Sequence, residues 1–259
     1  MTLTVLTDNH AGKRTAAEHG LSYLVEHDNK RILFDTGQSD IFLTNSAIIG
    51  VDPEATDLII LSHGHYDHGN GLRYMGGQHI LCHPGCFVKR YGDRGKKYIG
   101  LAETFEELSS RFMIRTSADP YRISDRITFL GEIPRISRYE SKTTEFTLEN
   151  GEPDYVDDDS AVVLELEEGL FIITGCGHAG IINTAEYARK VTGNKDIAGI
   201  MGGFHLKHNN RQTRETIDYL RSAEVQYIYP SHCTELPALA AFHKAFGTRL
   251  ITTGGVLVI

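Results

Sequence analysis

Residues 61–72 read LSHGHYDHGNGL and place three histidines and one aspartate within six positions. The stretch begins at the end of the apolar, β-branched run DLIILS, which predicts a strand buried on both faces. A loop that leaves such a strand is nearly extended, so His63 and His65 can point to the same side and hold one metal ion. As the chain turns toward a helix, Asp67 and His68 can face a second ion.

The donor types in this stretch favour a transition metal. Neutral imidazoles with one carboxylate suit Zn²⁺, Fe²⁺ or Mn²⁺ better than Ca²⁺, and Gly64 and Gly69 allow the backbone to bend tightly between ligands. The alternative, a polar turn with incidental histidines, is disfavoured because crowded imidazoles repel one another when protonated. We therefore expect two divalent transition-metal ions, zinc first, with iron or manganese as the alternatives.

The composition of the chain limits the classes of partner that we expect it to bind. The 259 residues carry a formal charge of −8, which argues against nucleic acid as a partner but permits a small anionic substrate held by a metal and a few arginines. No apolar run reaches membrane-spanning length and no signal region opens the chain, so we expect no membrane partner. The four cysteines form no dense framework, which favours a reducing cytoplasm. Nothing in the sequence specifies an oligomeric state.

Strand and helix patterns alternate along the chain without a linker, so we expect one domain over residues 1–259. GLSYLVEHDNKRILFDTG predicts a hairpin around DNK, and SDIFLTNSAIIG predicts a helix that stops at Gly50. Residues 85–130 are more polar and irregular, and we interpret them as a lid-like insertion over the site.

Four apolar strands run into a histidine at their ends: LIILSHGH, LFIITGCGH, IAGIMGGFH and YIYPSH. Functional sites of α/β proteins are built where buried strands end. Convergence on one metal centre explains these four clusters more simply than chance does.

Several stretches resemble the metallo-β-lactamase superfamily. SHGHYDHGNGL resembles its HxHxDH signature, and FDTG at residues 34–37 resembles the turn whose aspartate supports the metal loop. EHGLSYLV, GEIPR, GCGHAGIINT, GGFHL and PSHCTE are similar to the branch that contains 7,8-dihydropterin-6-methyl-4-(β-D-ribofuranosyl)aminobenzene-5′-phosphate synthase. The similarity runs from about Val5 to the C-terminus and is weakest over residues 85–130. It implies an α/β fold of the superfamily type, a four-layer αββα sandwich.

The resemblance also implies a set of site residues. It assigns the first ion to His63, His65 and a third histidine, and the second to Asp67, His68 and a histidine near the C-terminus, which His232 matches. We choose His178 as the third histidine, because the usual position carries none. Asp67 is in addition the expected catalytic residue, because it orients the nucleophile.

Two ligand positions depart from the superfamily pattern. The stretch before the strand pair reads DDDS instead of supplying a histidine, and the turn after it reads TGCGH instead of TGD. Asp159 and Cys176 are the alternative ligands there. The competing interpretation is that residues 157–159 form a solvated turn and that Cys176 is a buried thiol.

The expected function is a metal-dependent hydrolase or transferase acting on a small anionic metabolite, phosphorylated and of pterin type among the candidates. His19, His83, Arg135 and His205 are the expected substrate contacts. The basic residues of segment 89–97 either hold a phosphate or form a solvated face. The alternatives are a lactonase or thioesterase, and a non-catalytic metal-bound ligand sensor.

Overall fold

Helices and strands alternate in the computed structural model, which describes all residues 1–259. The strands are β1 (Thr2–Thr7), β2 (Ser22–His27), β3 (Lys30–Phe34), β4 (Leu58–Ile60), β5 (His79–Cys82), β6 (Arg90–Gly92), β7 (Lys97–Tyr98), β8 (Met113–Thr116), β9 (Tyr121–Ser124), β10 (Ile127–Phe129), β11 (Thr147–Leu148), β12 (Ala161–Glu165), β13 (Leu170–Thr174), β14 (Ile197–Gly203), β15 (Tyr227–Ser231) and β16 (Val256–Val258). The helices are α1 (Ile41–Ile49), α2 (Tyr66–Gly69), α3 (Phe105–Ser109), α4 (Ile181–Thr192), α5 (Arg211–Ser222) and α6 (Leu236–Phe246). The chain divides into a first unit, residues 1–118, 144–158 and 252–259, and a second unit, residues 119–143 and 159–251.

The first unit contains a seven-stranded sheet of order β16-β1-β2-β3-β4-β5-β8. Its predicted hairpin is present: β2 and β3 pair antiparallel, and Asp28 and Asn29 both have positive φ in the turn between them, as a type I′ turn requires. Strands β3, β4, β5 and β8 run parallel, so the ends of β3, β4 and β5 lie along one edge. Helix α1 packs Phe42 into the core on one face. A small sheet of order β11-β6-β7 completes the unit.

The second unit contains a six-stranded sheet of order β15-β14-β13-β12-β10-β9, in which β13, β14 and β15 are parallel neighbours. Every residue of β13 and β14 is buried, which explains their continuous apolar sequences. The helices α4, α5 and α6 cover this core through Ala185, Ala188, Ile217, Leu220 and Phe242.

The helix end predicted at Gly50 is confirmed. Helix α1 ends at Gly50 and α4 at Gly193, both in the left-handed conformation that glycine adopts without strain. Residues 85–130 are more regular than the sequence indicates, because β8 joins the sheet of the first unit and β9 and β10 join that of the second. Their role as a lid, and the single domain, stay predictions. No helix is both long and apolar enough to cross a bilayer.

Candidate metal centre

The histidine loop of the first unit connects β4 to the short helix α2. His63, His65, Asp67 and His68 are all buried, His63 and His68 completely. His65 has an extended backbone and pairs with Gly100 in an isolated bridge, after which the chain turns into α2. The sequence therefore correctly predicted an extended loop that turns into a helix. Burial of three imidazoles and a carboxylate away from water indicates a site for cations, since such groups are costly to desolvate without partners.

Asp35 fixes the orientation of His68. It follows β3, the parallel neighbour of β4, and its carboxylate accepts hydrogen bonds from the backbone N–H and Oγ of Ser62 at 2.8 and 2.7 Å. The same carboxylate lies 2.7 Å from Nδ1 of His68. Nδ1 is therefore the donor nitrogen, which leaves Nε2 of His68 as the lone-pair donor toward a metal, 3.8 Å from Oδ2 of Asp67. The supporting role expected for the aspartate of FDTG is consistent with this contact.

The remaining donors of the loop are close together. Nε2 of His63 lies 2.9 Å from Nδ1 of His65, and Nδ1 of His63 lies 2.9 Å from Oγ of Ser62. Oδ2 of Asp67 lies 3.1 Å from Nε2 of His19, whose side chain is about half exposed. Imidazole nitrogens and a carboxylate at these separations form the donor set that a divalent transition metal prefers, so the residues present fit such an ion.

A buried ion pair between Arg90 and Asp158 supports the histidine loop. The backbone N–H of Gly64 donates to Oδ2 of Asp158 at 2.7 Å, and the guanidinium of Arg90 donates to Oδ1 of Asp158 at 2.7 Å. Burial disfavours the charge of Arg90, but Asp158 and Asp154 outweigh it and raise the pKa of the guanidinium. Gly64 must be glycine, because a Cβ there would lie 1.9 Å from the carbonyl oxygen of Cys86.

These contacts correct two interpretations of the sequence. Asp158 and Asp159 are buried rather than part of a solvated turn, and Asp157 is the exposed residue of the three. Arg90 is almost fully buried and does not belong to a solvated basic face, whereas Lys89 is exposed and pairs with Glu149. Sequence reasoning did not foresee the burial and pairing of Arg90 and Asp158, since neither has a periodic pattern that signals burial.

In the second unit, three parallel strands bring their carboxyl ends to one edge. Cys176 and His178 follow β13, His205 follows β14, and His232 and Cys233 follow β15. His205 and His232 both have positive φ, a strained conformation that is common in functional sites. The ring centroids of His178 and His205 are 4.3 Å apart. The structure thus brings His178 and His205 together at this edge.

Two carboxylates support the loop that carries His178. Oδ2 of Asp159 accepts a hydrogen bond from the backbone N–H of Ala179 at 2.8 Å. Asp159, one of the alternative ligands, thus supports the backbone next to His178. Glu140 accepts hydrogen bonds from the backbone N–H groups of Ile182 and Asn183 at 2.9 Å, in the first turn of α4. Sequence reasoning did not single out Glu140.

Two thiols and an imidazole form a second cluster at the same edge. One donor atom each of Cys176, His205 and Cys233 lie within 4.8 Å of one another. Burial opposes ionisation of Cys233, but hydrogen bonds with Cys176 and His205 and the charge of His232 hold the pKa of its thiol well below the usual value. Cys233 is a site residue that sequence reasoning missed, although it directly follows the predicted ligand His232.

The other expected substrate contacts lie in different places. His83 is buried at the end of β5, and its Nδ1 accepts a hydrogen bond from the backbone N–H of Gly85. Arg135 is half-buried in the segment that follows β10. Substrate contact by His19, His83, Arg135 and His205 stays a prediction.

Comparison with known proteins gives consistent results. The sequence profile of the metallo-beta-lactamase superfamily matches residues 16–86. An uncharacterised protein of Methanocaldococcus jannaschii is 38% identical over 248 residues, 92% of each chain. From the same organism, 7,8-dihydropterin-6-methyl-4-(beta-D-ribofuranosyl)-aminobenzene-5′-phosphate synthase is 32% identical over 266 residues, 93% of this chain and 90% of the relative.

A solved structure is also similar. The crystal structure of a metal-dependent hydrolase of the beta-lactamase superfamily matches with a TM-score of 0.89 and 29% identity, covering 100% of this chain and 99% of the other. The predicted fold class, a mixed α/β chain of the metallo-β-lactamase type, is thereby confirmed.

Proposed function

Because this chain belongs to the metallo-β-lactamase superfamily, we propose that it is a metal-dependent hydrolase or transferase acting on a small anionic metabolite. The observation that carries the proposal is the buried donor set around Asp35, which fixes the tautomer of His68 and leaves its Nε2 beside Asp67. A core does not need this arrangement, since apolar side chains of similar size would pack there at lower cost.

We propose two divalent transition-metal ions, zinc before iron or manganese. In this proposal the first ion is held by His63, His65 and His178, and the second by Asp67, His68 and His232, with Cys176 and Asp159 as the alternatives. Such ions supply Lewis acidity, which activates water at neutral pH and polarises an ester or phosphoryl oxygen.

The protein side chains then have separate tasks. Asp67 orients the nucleophile through Oδ2. Nε2 of His19 lies 3.1 Å from that oxygen, and its ring reaches solvent. His19 can therefore carry a proton between the carboxylate and bulk water. Asp35 keeps the His68 ring in place.

The substrate class is proposed from the relatives. The synthase that is 32% identical over 90% of its length is named for a phosphorylated, pterin-containing compound. We therefore propose a phosphorylated substrate, with pterin-type compounds the first to test.

The test combines metal analysis with a substrate panel. Protein prepared without chelator should contain at least one transition-metal ion per chain and should turn over phosphodiesters, whereas turnover of lactones or thioesters instead would favour a lactonase or thioesterase. Asp67→Ala should lower kcat by about 10²–10⁴-fold, the range expected for losing a group that positions or transfers a proton. Asp125→Ala, at a fully exposed carboxylate, is the matched control and should leave kcat unchanged.

Two results would contradict the proposal. One is a metal content near zero that does not rise on reconstitution. The other is Asp67→Ala activity within a few-fold of the control.

A further inference from the structure

The four cysteines of the chain lie as two pairs of neighbouring thiols with different surroundings. Cys82 and Cys86 are both completely buried and hydrogen-bonded to each other, and burial raises the pKa of Cys86. Cys176 and Cys233 lie at the strand ends of the second unit, where Cys233 is partly exposed. The buried pair, Cys82 and Cys86, can therefore serve as an internal control for reactions of Cys176 and Cys233.

The approach of Cys176 to Cys233 depends on a glycine. Their strands, β13 and β15, are separated by β14, so the strand axes are about 10 Å apart. At the end of β14, a Cβ on Gly203 would lie 2.5 Å from Sγ of Cys233 and 3.0 Å from Cα of Cys176. The missing side chain lets the Cys233 thiol reach across the end of β14.

The two thiols therefore belong to one cluster at the strand ends. Sγ of Cys233 donates to the carbonyl oxygen of Cys176 at 3.3 Å, and the two sulfur atoms lie within 4.8 Å of each other and of a ring nitrogen of His205.

We propose that Cys176 and Cys233 are a redox-active dithiol that low-molecular-weight disulfides oxidise reversibly. The Cys233 thiolate attacks one sulfur of the small disulfide RSSR, whose S–S bond breaks and releases RS⁻. The Cys176 thiolate then attacks Sγ of Cys233, forming the protein disulfide and releasing a second RS⁻. The two thiol protons pass to the two RS⁻ groups, so the protein loses two hydrogens and RSSR becomes two RSH. This inference rests on residues of the second unit alone, and it takes His178 rather than Cys176 as the ligand of the first ion.

The test is oxidation of the purified, folded protein with glutathione disulfide. Intact mass should fall by two hydrogens, and alkylation after unfolding should label two cysteines instead of four. Peptide mapping should find the Cys176–Cys233 link, and reductant should restore four labels.

Single-cysteine variants separate the two steps. Cys176→Ser should accumulate a glutathione adduct on Cys233, because the resolving thiol is gone. Cys82→Ser is the matched control and should form the Cys176–Cys233 link at the rate of the unmodified protein.

Three results would overturn the proposal. The first is four labelled cysteines after oxidation under conditions that oxidise dithiothreitol. The second is a Cys82–Cys86 link formed as readily as the Cys176–Cys233 link, which would show that the exposed pair has no special reactivity. The third is a glutathione adduct on Cys233 of the unmodified protein that does not proceed to the internal disulfide.

Discussion

The carboxylate of Asp158 connects a backbone amide in the histidine loop to a buried guanidinium. Oδ2 accepts from the N–H of Gly64 and Oδ1 from Arg90, and all these groups are buried. Gly64 lies between His63 and His65, so this contact determines the course of the backbone that presents both rings. Asp158 is a positioning residue, since it acts on the loop through the backbone of Gly64.

Asp158→Ala should destabilise the protein and loosen the loop. Removing Asp158 leaves the buried charge of Arg90 with Asp154 alone as its partner, which costs up to about 3–5 kcal/mol. Urea unfolding should show this loss, and zinc titration of the refolded variant should show weaker binding, by about 10–100-fold as for other groups that support metal ligands.

The neighbouring residue supplies the control for this change. Asp157 is exposed, so Asp157→Ala should alter the free energy of unfolding by no more than about 0.5 kcal/mol. Equal stability of the Asp158 and Asp157 variants would show that the buried pair does not support the loop.

At the scale of elements, α4 begins without a capping side chain of its own. Its N-cap is Gly180, and Glu140 supplies the acceptor oxygens for the first-turn N–H groups instead. Burial raises the pKa of Glu140 to about 7, although the backbone hydrogen bonds from α4 and the charge of Lys142 act in the opposite direction. A carboxyl group with a pKa of about 7 therefore lies against the start of the helix that follows His178.

Glu140 should make stability depend on pH in a defined direction. Its pKa in the folded protein, about 7, lies above its ordinary value of 4.5, so the folded state binds the proton more tightly than the unfolded chain. Its stabilising contribution is fully present below pH 4.5 and is lost as the pH rises through 7. Between pH 5 and 8 the free energy of unfolding should fall by roughly 2–3 kcal/mol relative to Glu140→Gln, which cannot ionise.

Parallel urea unfolding of the two proteins across this range measures the difference. The raised pKa of Glu140 would be contradicted if the free energy of unfolding of the unmodified protein, relative to that of Glu140→Gln, stayed constant or increased from pH 5 to 8.

At the scale of the whole molecule, each unit has its own apolar core and its own row of strand ends bearing histidines. In the first unit the donors are buried, and Asp35 and Asp158 hold the loop that presents them. The unfolded chain has no such arrangement, and a ligand that binds the native state alone stabilises it by mass action.

Metal removal should therefore lower the melting temperature. At a free zinc concentration about 100 times the dissociation constant, binding contributes about 2.7 kcal/mol, which corresponds to roughly 5–10 °C for a chain of this size. Calorimetry of chelated and zinc-reconstituted protein measures the shift, and Asp125→Ala should show the same shift as the unmodified protein. Identical melting temperatures with and without zinc would argue against a metal centre.

Local sequence patterns determined much of this protein. The β-branched run before His63, the Asp-Asn turn between β2 and β3, and the glycines that end α1 and α4 each act through a few neighbouring residues. Such features depend on backbone preferences and hydrophobic period, which can be read without knowing the rest of the chain. The same holds for the placement of the histidines at strand ends.

Tertiary structure alone decided which polar residues support the loops. Asp158 reaches Gly64 across 94 positions of sequence, Arg90 reaches Asp158 across 68, and Cys233 reaches Cys176 across 57. Taken alone, DDDS predicts a solvated turn, because isolated carboxylates are cheapest in water. These aspartates are buried because folding brings them a guanidinium and backbone N–H groups as partners, and no local pattern records a partner that arrives from a distant strand.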